Sequence, residues 1–173
     1  MPMQVTARVT RADQAASPYF YVPFQVPEGT TRIDVMLDYA KAADCIIDLG
    51  AFDPRDTGYP TAEGFRGWSG GARSSYFIAT DDATPGYIHG PIPAGQWNVI
   101  LGLYQVPETG AEVRVTVTLD ASPRPVATQP SRTFPVRQGA GWYKGDLHCH
   151  TFLSDAKGSP ETPHFAAPQA VLD

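Results

Sequence analysis

The chain alternates apolar and polar positions with a period of two in one short run after another, and residues that favour turns separate the runs. In TRIDVMLDY, residues 31–39, Ile33, Val35 and Leu37 fall on one face and Arg32, Asp34 and Asp38 on the other, the pattern of a strand with one side buried. EVRVTVTLD, residues 112–120, repeats it with Val113, Val115, Val117 and Leu119 on the inner side. Further strands are predicted over 19–26 (YFYVPFQV), 45–52 (CIIDLGAF), 74–80 (SSYFIAT) and 96–106 (QWNVILGLYQV). PEGT, DPRDTGYP, DDATPG and GPIPAG lie between them, rich in residues that fix φ or permit positive φ. Short strands at this spacing, with no helical period between them, predict an all-β fold. It is an antiparallel β-sandwich, jelly-roll or immunoglobulin-like, over residues from about 18 to 120, with Ile33, Val35, Leu37, Val113, Val115 and Val117 in its core.

Composition divides the rest of the chain. At 173 residues and 42% hydrophobic, it can bury one good core and carry an appendage, and its 17 Pro and 16 Gly fit many turns and few long helices. Residues 121–139, ASPRPVATQPSRTFPVRQG, lose the alternation and gather prolines, as an extended linker does. The expected organisation is therefore a sandwich over 1–120, a Pro-rich linker over 121–139 and a separate unit over 140–173.

Charge removes some functions. A net charge of −5 with both signs interspersed leaves no basic stripe for a phosphate backbone and no polybasic patch for a membrane, so neither nucleic acid nor membrane is an expected partner. The first twenty residues lack a signal peptide's apolar stretch and no run approaches the roughly 18 apolar residues of a bilayer span, which makes the cytoplasm the expected location. Cys45 and Cys149 match no zinc ribbon or redox pair and read as packed thiols. His89 reads as a solvated turn residue, His164 as a solvated tail residue, and Trp68 as a loop aromatic closing one end of the sandwich, with ligand stacking as the other reading. GWSGG around it lacks the Lys-Ser/Thr and the helix of a phosphate loop.

The chemistry gathers at GDLHCHTFLSD, residues 145–155. On a strand, Asp146, His148 and His150 project from one face and Cys149 from the other. Two imidazoles so spaced can reach one cation, zinc, manganese or iron, with Asp155 as an oxygen donor. Asp146 is better placed to orient a histidine through its ring N–H. Taken alone, H-x-H reads equally well as two partly exposed strand histidines.

The longer string resembles the first motif of the PHP (polymerase and histidinol phosphatase) superfamily, D-L-H-x-H-[ST] followed by an acidic residue. FRGWSGGAR, DDATPGYIHGPIPAG, GLYQVP and GWYKGDLHCH extend the likeness to the CehA/McbA-type branch, which includes a carbaryl hydrolase. The resemblance implies a β-sandwich followed by a distorted β/α barrel holding two or three divalent metal ions, with His148, His150 and Asp155 as motif-one ligands. It implies hydrolysis of a small-molecule phosphoester or carbamate ester by metal-activated water. A barrel takes roughly 200 residues or more, whereas only 156–173 follow Asp155, so a truncated barrel is expected here. The residues thus leave two functions in competition: the N-terminal portion of a PHP-type hydrolase, inactive by itself, or a non-enzymatic binding or self-assembly protein. In the second, strand 141–153 pairs with a sheet edge and forms homo-oligomers by exchange between copies.

Overall fold

The computed structural model describes residues 2–57 and 63–126. Eight strands and one short helix follow one another as β1 (Met3–Val9), α1 (Arg11–Ala16), β2 (Tyr19–Val26), β3 (Arg32–Tyr39), β4 (Ile46–Phe52), β5 (Phe65–Gly70), β6 (Ser75–Ala79), β7 (Gly95–Gln105) and β8 (Ala111–Asp120). They form two four-stranded sheets, β1-β8-β3-β6 and β2-β7-β4-β5, in which every pairing is antiparallel. Only β4 and β5 are both consecutive in sequence and neighbours in a sheet; each other connection carries the chain across to the opposite sheet. That is the connectivity of a double-sheet jelly roll, whereas an immunoglobulin sandwich keeps several consecutive strands side by side.

The alternation read from the sequence places the core between the sheets. Ile33, Val35 and Leu37 of β3 and Val113, Val115 and Val117 of β8 are all buried, and the register sets Val35 beside Val117 and Leu37 beside Val115. Val22, Phe24, Ile47, Leu49, Trp97, Val99 and Leu101 meet them from the other sheet in one apolar cluster, with Cys45 buried at its edge. The predicted strand ends agree with the observed ones to within a residue.

Two elements escape the prediction. The sandwich begins at Met3, not near residue 18, because β1 pairs with β8 along its whole length and turns Val5, Ala7 and Val9 toward the core. Its alternation is diluted by Thr6 and Ala7, which carry little hydrophobic contrast. The helix α1 follows at once, started by a capping box in which Thr10 accepts from the Asp13 N–H while the Asp13 carboxylate accepts from the Thr10 N–H. Gln14 pins this helix by donating to the carbonyls of Leu103 and Tyr104. The second is FRGWSGGAR, expected as a loop: residues 65–70 form the edge strand β5, with a register irregular enough to hide its period.

Sheet edges are treated unequally. The segment 82–88 folds along the outer sides of β5 and β6, where Gly67 bridges to Tyr87 and Ile78 to Ala83. Pro23 interrupts the donors of β2, a common way to blunt an edge. No described residue pairs with the outer edge of β1, which carries no proline. Among the described residues no helix is long and apolar enough to cross a membrane.

Candidate functional site

Asp146, His148, His150 and Asp155, the predicted metal ligands and their orienting carboxylate, lie outside the described residues, as do Cys149, His164 and the part of the predicted linker beyond residue 126. Among the described residues no group of three or more His, Cys, Asp or Glu side chains could hold a metal ion.

Residues 121–126, the start of the predicted linker, are held on the sandwich. Ser122 donates to the Asp120 carboxylate from both N–H and hydroxyl, Thr31 donates to the Ser122 carbonyl, Thr80 donates to the Pro125 carbonyl at 2.7 Å, and Arg124 pairs with Asp81 at 3.3 Å. Proline-rich chain cannot join a ladder, so threonine hydroxyls at the ends of β3 and β6 take its carbonyls instead. The polypeptide leaves toward residue 127 from this end.

At the same end lies a buried ionic knot. Asp53, directly after β4 and fully buried, accepts from Arg55 at 2.7 Å and from Arg66 of β5 at 3.3 Å. Arg66 also donates to the carbonyls of Ile88 and Pro91, and its guanidinium sits 5.0 Å from the centre of the Trp97 ring. Burial lowers the pKa of Arg66, opposed by the Asp53 charge. Every group is satisfied, and the knot stitches β4, β5 and the 85–94 connection together. His89, within that connection, is half-buried where a solvated turn residue was expected.

The outer faces of the two sheets differ in chemistry. On β1-β8-β3-β6 the outward positions are mostly polar, Gln4, Arg32, Asp34, Asp38, Arg114, Thr116 and Thr118, with Met36, 53% exposed, and Phe77, beneath the Arg32 guanidinium, among them. On β2-β7-β4-β5 an aromatic and apolar group stands among outward polar residues such as Asp48, Asn98 and Gln25: Phe52 and Ile100 are fully buried beneath Tyr19, Phe65 and Trp68, although they point away from the main core.

Trp68 organises this face. The register lines up Tyr21, Ile100, Gly50 and Trp68 in one row and Tyr19, Gly102 and Asp48 in the next. The indole reaches back across the sheet over Gly50 and Gly102: a Cβ at Gly50 would stand 2.5 Å from its Cε3, and one at Gly102 2.7 Å from its Cη2. Two glycines inside strands thus provide the floor on which the ring rests, a close approach that any side chain would block. Tyr19 meets the ring edge-on, with centroids 6.2 Å apart. The reading of Trp68 as a loop aromatic closing the end of the sandwich is therefore corrected: it is a strand residue on a sheet face. The signal available beforehand was the pair of isolated glycines in the runs CIIDLGAF and QWNVILGLYQV.

Asp48 stands beside this ring. Burial raises its carboxyl above the ordinary carboxylate range, and burial followed by the nearby Asp48 charge raises the Tyr19 phenol. Because the folded-state pKa lies above the unfolded one, the folded protein holds the Asp48 proton more tightly. That contribution to stability is complete below the unfolded value of 3.8 and is lost as pH rises through the folded pKa. Asp48→Asn should therefore raise the melting temperature at about pH 7 and leave it unchanged at about pH 3. Thermal melts of both proteins at the two pH values check this, and an equal gap at both would dissociate the effect from ionisation.

A concavity of about 550 Å³ opens at the opposite end, between the β3–β4 and β7–β8 connections. Its lining mixes Asp38, Asp44, Glu112 and Arg114, with Arg114 and Asp38 paired at 3.7 Å across exposed surface. Nothing in it converges on one point.

No protein-family model matches the chain, and no curated protein matches it.

Proposed function

We propose that the chain is the N-terminal portion of a PHP-type metal-dependent hydrolase, a jelly-roll domain leading into the first motif of a catalytic barrel. The observation that carries this reading is GDLHCHTFLSD, with two imidazoles and two carboxylates in the family's spacing. The donor set suits zinc, manganese or iron, which supply a Lewis acid and activated water for ester or phosphoester hydrolysis. Within it His148, His150 and Asp155 are ligands and Asp146 orients a histidine. Three donors serve one ion at most and leave none for a second, so these residues alone bind metal weakly and do not turn over substrate. A sandwich whose strands are all paired before residue 121 suits the role of an accessory domain.

Calorimetric titration of the 173-residue chain with zinc and with manganese tests the assignment, alongside assays with p-nitrophenyl phosphate and an aryl N-methylcarbamate. The expected result is weak binding, lost in His148→Ala/His150→Ala, without hydrolysis. Binding indifferent to both histidines would remove the ligand assignment. A submicromolar site with turnover abolished by His148→Ala would show that the chain suffices as an enzyme.

The outer edge of β1, with which no described residue pairs, favours a second reading, in which strand 141–153 adds to that edge within one molecule or between copies to give homo-oligomers. Light scattering on the full chain and on a chain ending at residue 139 decides it. Identical masses, or a monomeric parent, would exclude exchange between copies.

A further inference from the structure

The aromatic face of the β2-β7-β4-β5 sheet has features that neither a hydrolase motif nor an ordinary sandwich surface needs. Outer sheet faces are normally polar, yet here an indole is laid flat on two glycines, and those glycines exclude any side chain that would tilt it. Its neighbours extend the surface. Tyr104, the next outward residue of β7 after Gly102, is 71% exposed. A tyrosine so exposed gains little from packing in the isolated domain, while its ring can cover an apolar ligand surface at small entropic cost.

Polar groups border the same ring. The position that a Cβ of Gly70 would occupy is 3.8 Å from the Asp48 Oδ1 and 3.8 Å from the Trp68 Nε1, with no other atom nearer. Gly71 borders the same carboxylate oxygen, at 3.5 Å from its own Cβ position. An acceptor and a donor thus flank one small open volume at the edge of the indole. Among the described residues neither the Asp48 carboxylate nor the Trp68 N–H makes a hydrogen bond, and Trp68 is only partly buried.

An apolar ring plane edged by a donor and an acceptor is the complement of a pyranose. The axial C–H groups of a sugar form an apolar face that stacks on aromatic rings, and each hydroxyl both donates and accepts. A hydroxyl in the space over Gly70 can accept from the indole N–H and donate to Asp48, satisfying all three groups. A charged ligand fits less well: among the described residues no Lys or Arg stands at the outward positions of β2, β7 and β4 around Trp68 to meet an anion, and Asp48 is a single carboxylate for a cation.

We infer that this face binds a neutral oligosaccharide, stacking one pyranose unit on Trp68 and holding a hydroxyl between Asp48 and the indole N–H, with Tyr19 alongside and Tyr104 extending toward an adjoining unit. The inference is independent of the metal motif, since each group it uses lies between residues 19 and 104.

The full chain is titrated with cellohexaose, xylohexaose, mannohexaose, laminarihexaose and chitohexaose up to millimolar concentration, followed by calorimetry and by tryptophan fluorescence. At least one is expected to bind saturably. Asp48→Asn, which keeps the shape and one acceptor oxygen but removes the charge, weakens that binding by about fivefold, the usual difference between a hydrogen bond to a charged group and one to a neutral group. Trp68→Phe, which keeps an aromatic ring and removes the N–H, weakens it by a smaller factor, and Trp68→Ala abolishes it. Melting curves separate lost binding from lost folding, and Asp48→Asn, expected to be at least as stable as the parent, keeps the test decisive if Trp68→Ala fails to fold. No saturable binding by any of these sugars, or binding unchanged in both Asp48→Asn and Trp68→Phe, overturns the inference and leaves the face as a surface for protein.

Discussion

Val115→Asp abolishes the folded state. Val115 is 1% exposed, sits beside Leu37 of β3 and Val5 of β1 in the middle of the β1-β8-β3-β6 sheet, and points into the cluster shared by both sheets. None of the residues paired with it or clustered around it in the apolar core is a cation. Leaving a carboxylate there charged and unpaired costs several kcal/mol, and protonating it still leaves an unsatisfied polar group, against a domain stability of about 5–15 kcal/mol. Loss of the sheet signal in circular dichroism and of the cooperative melt is the expected result. A variant melting within a degree or two of the parent would mean that β8 turns its other face inward.

Asp53→Ala should be the most damaging change of a polar residue. Arg66 is 2% exposed and Asp53 fully buried, so deleting the carboxylate strands a guanidinium that water cannot reach, at about 3–5 kcal/mol. Arg55, half-exposed, can turn to solvent and loses little. The change also frees the junction between β4 and β5, because Arg66 holds the carbonyls of Ile88 and Pro91 from the same position. Denaturant unfolding of Asp53→Ala, Arg66→Met and the double variant tests the coupling. The double variant should lose clearly less than the two single losses combined, since removing both charges leaves no unpaired ion. Strict additivity would show that the two side chains do not depend on each other.

Much of the fold was legible because a strand's alternation is written locally. Ile33, Val35 and Leu37 declare their face without reference to any other part of the chain, and so do Val113, Val115 and Val117. β1 was missed where small and β-branched polar residues blur the contrast, and β5 where glycine-rich backbone breaks the register. The proposed metal motif is a matter of spacing within residues 145–155, so the proposal too is made in one dimension. The aromatic face was not legible in that way: Phe52 and Ile100 look like ordinary members of apolar runs until the sheet shows them facing away from the main core.

The sequence by itself determined the strands, their inward faces, the turns between them and the composition break near residue 120, because each follows from neighbours a few positions apart. Only the tertiary structure decided that the sandwich is a jelly roll, that Asp53 and Arg66 share one buried knot, and that Trp68 rests on Gly50 and Gly102 beside Asp48. Those facts depend on which strand lies next to which. Strand order is chosen by the joint packing of all eight strands, and no period within any one of them encodes it.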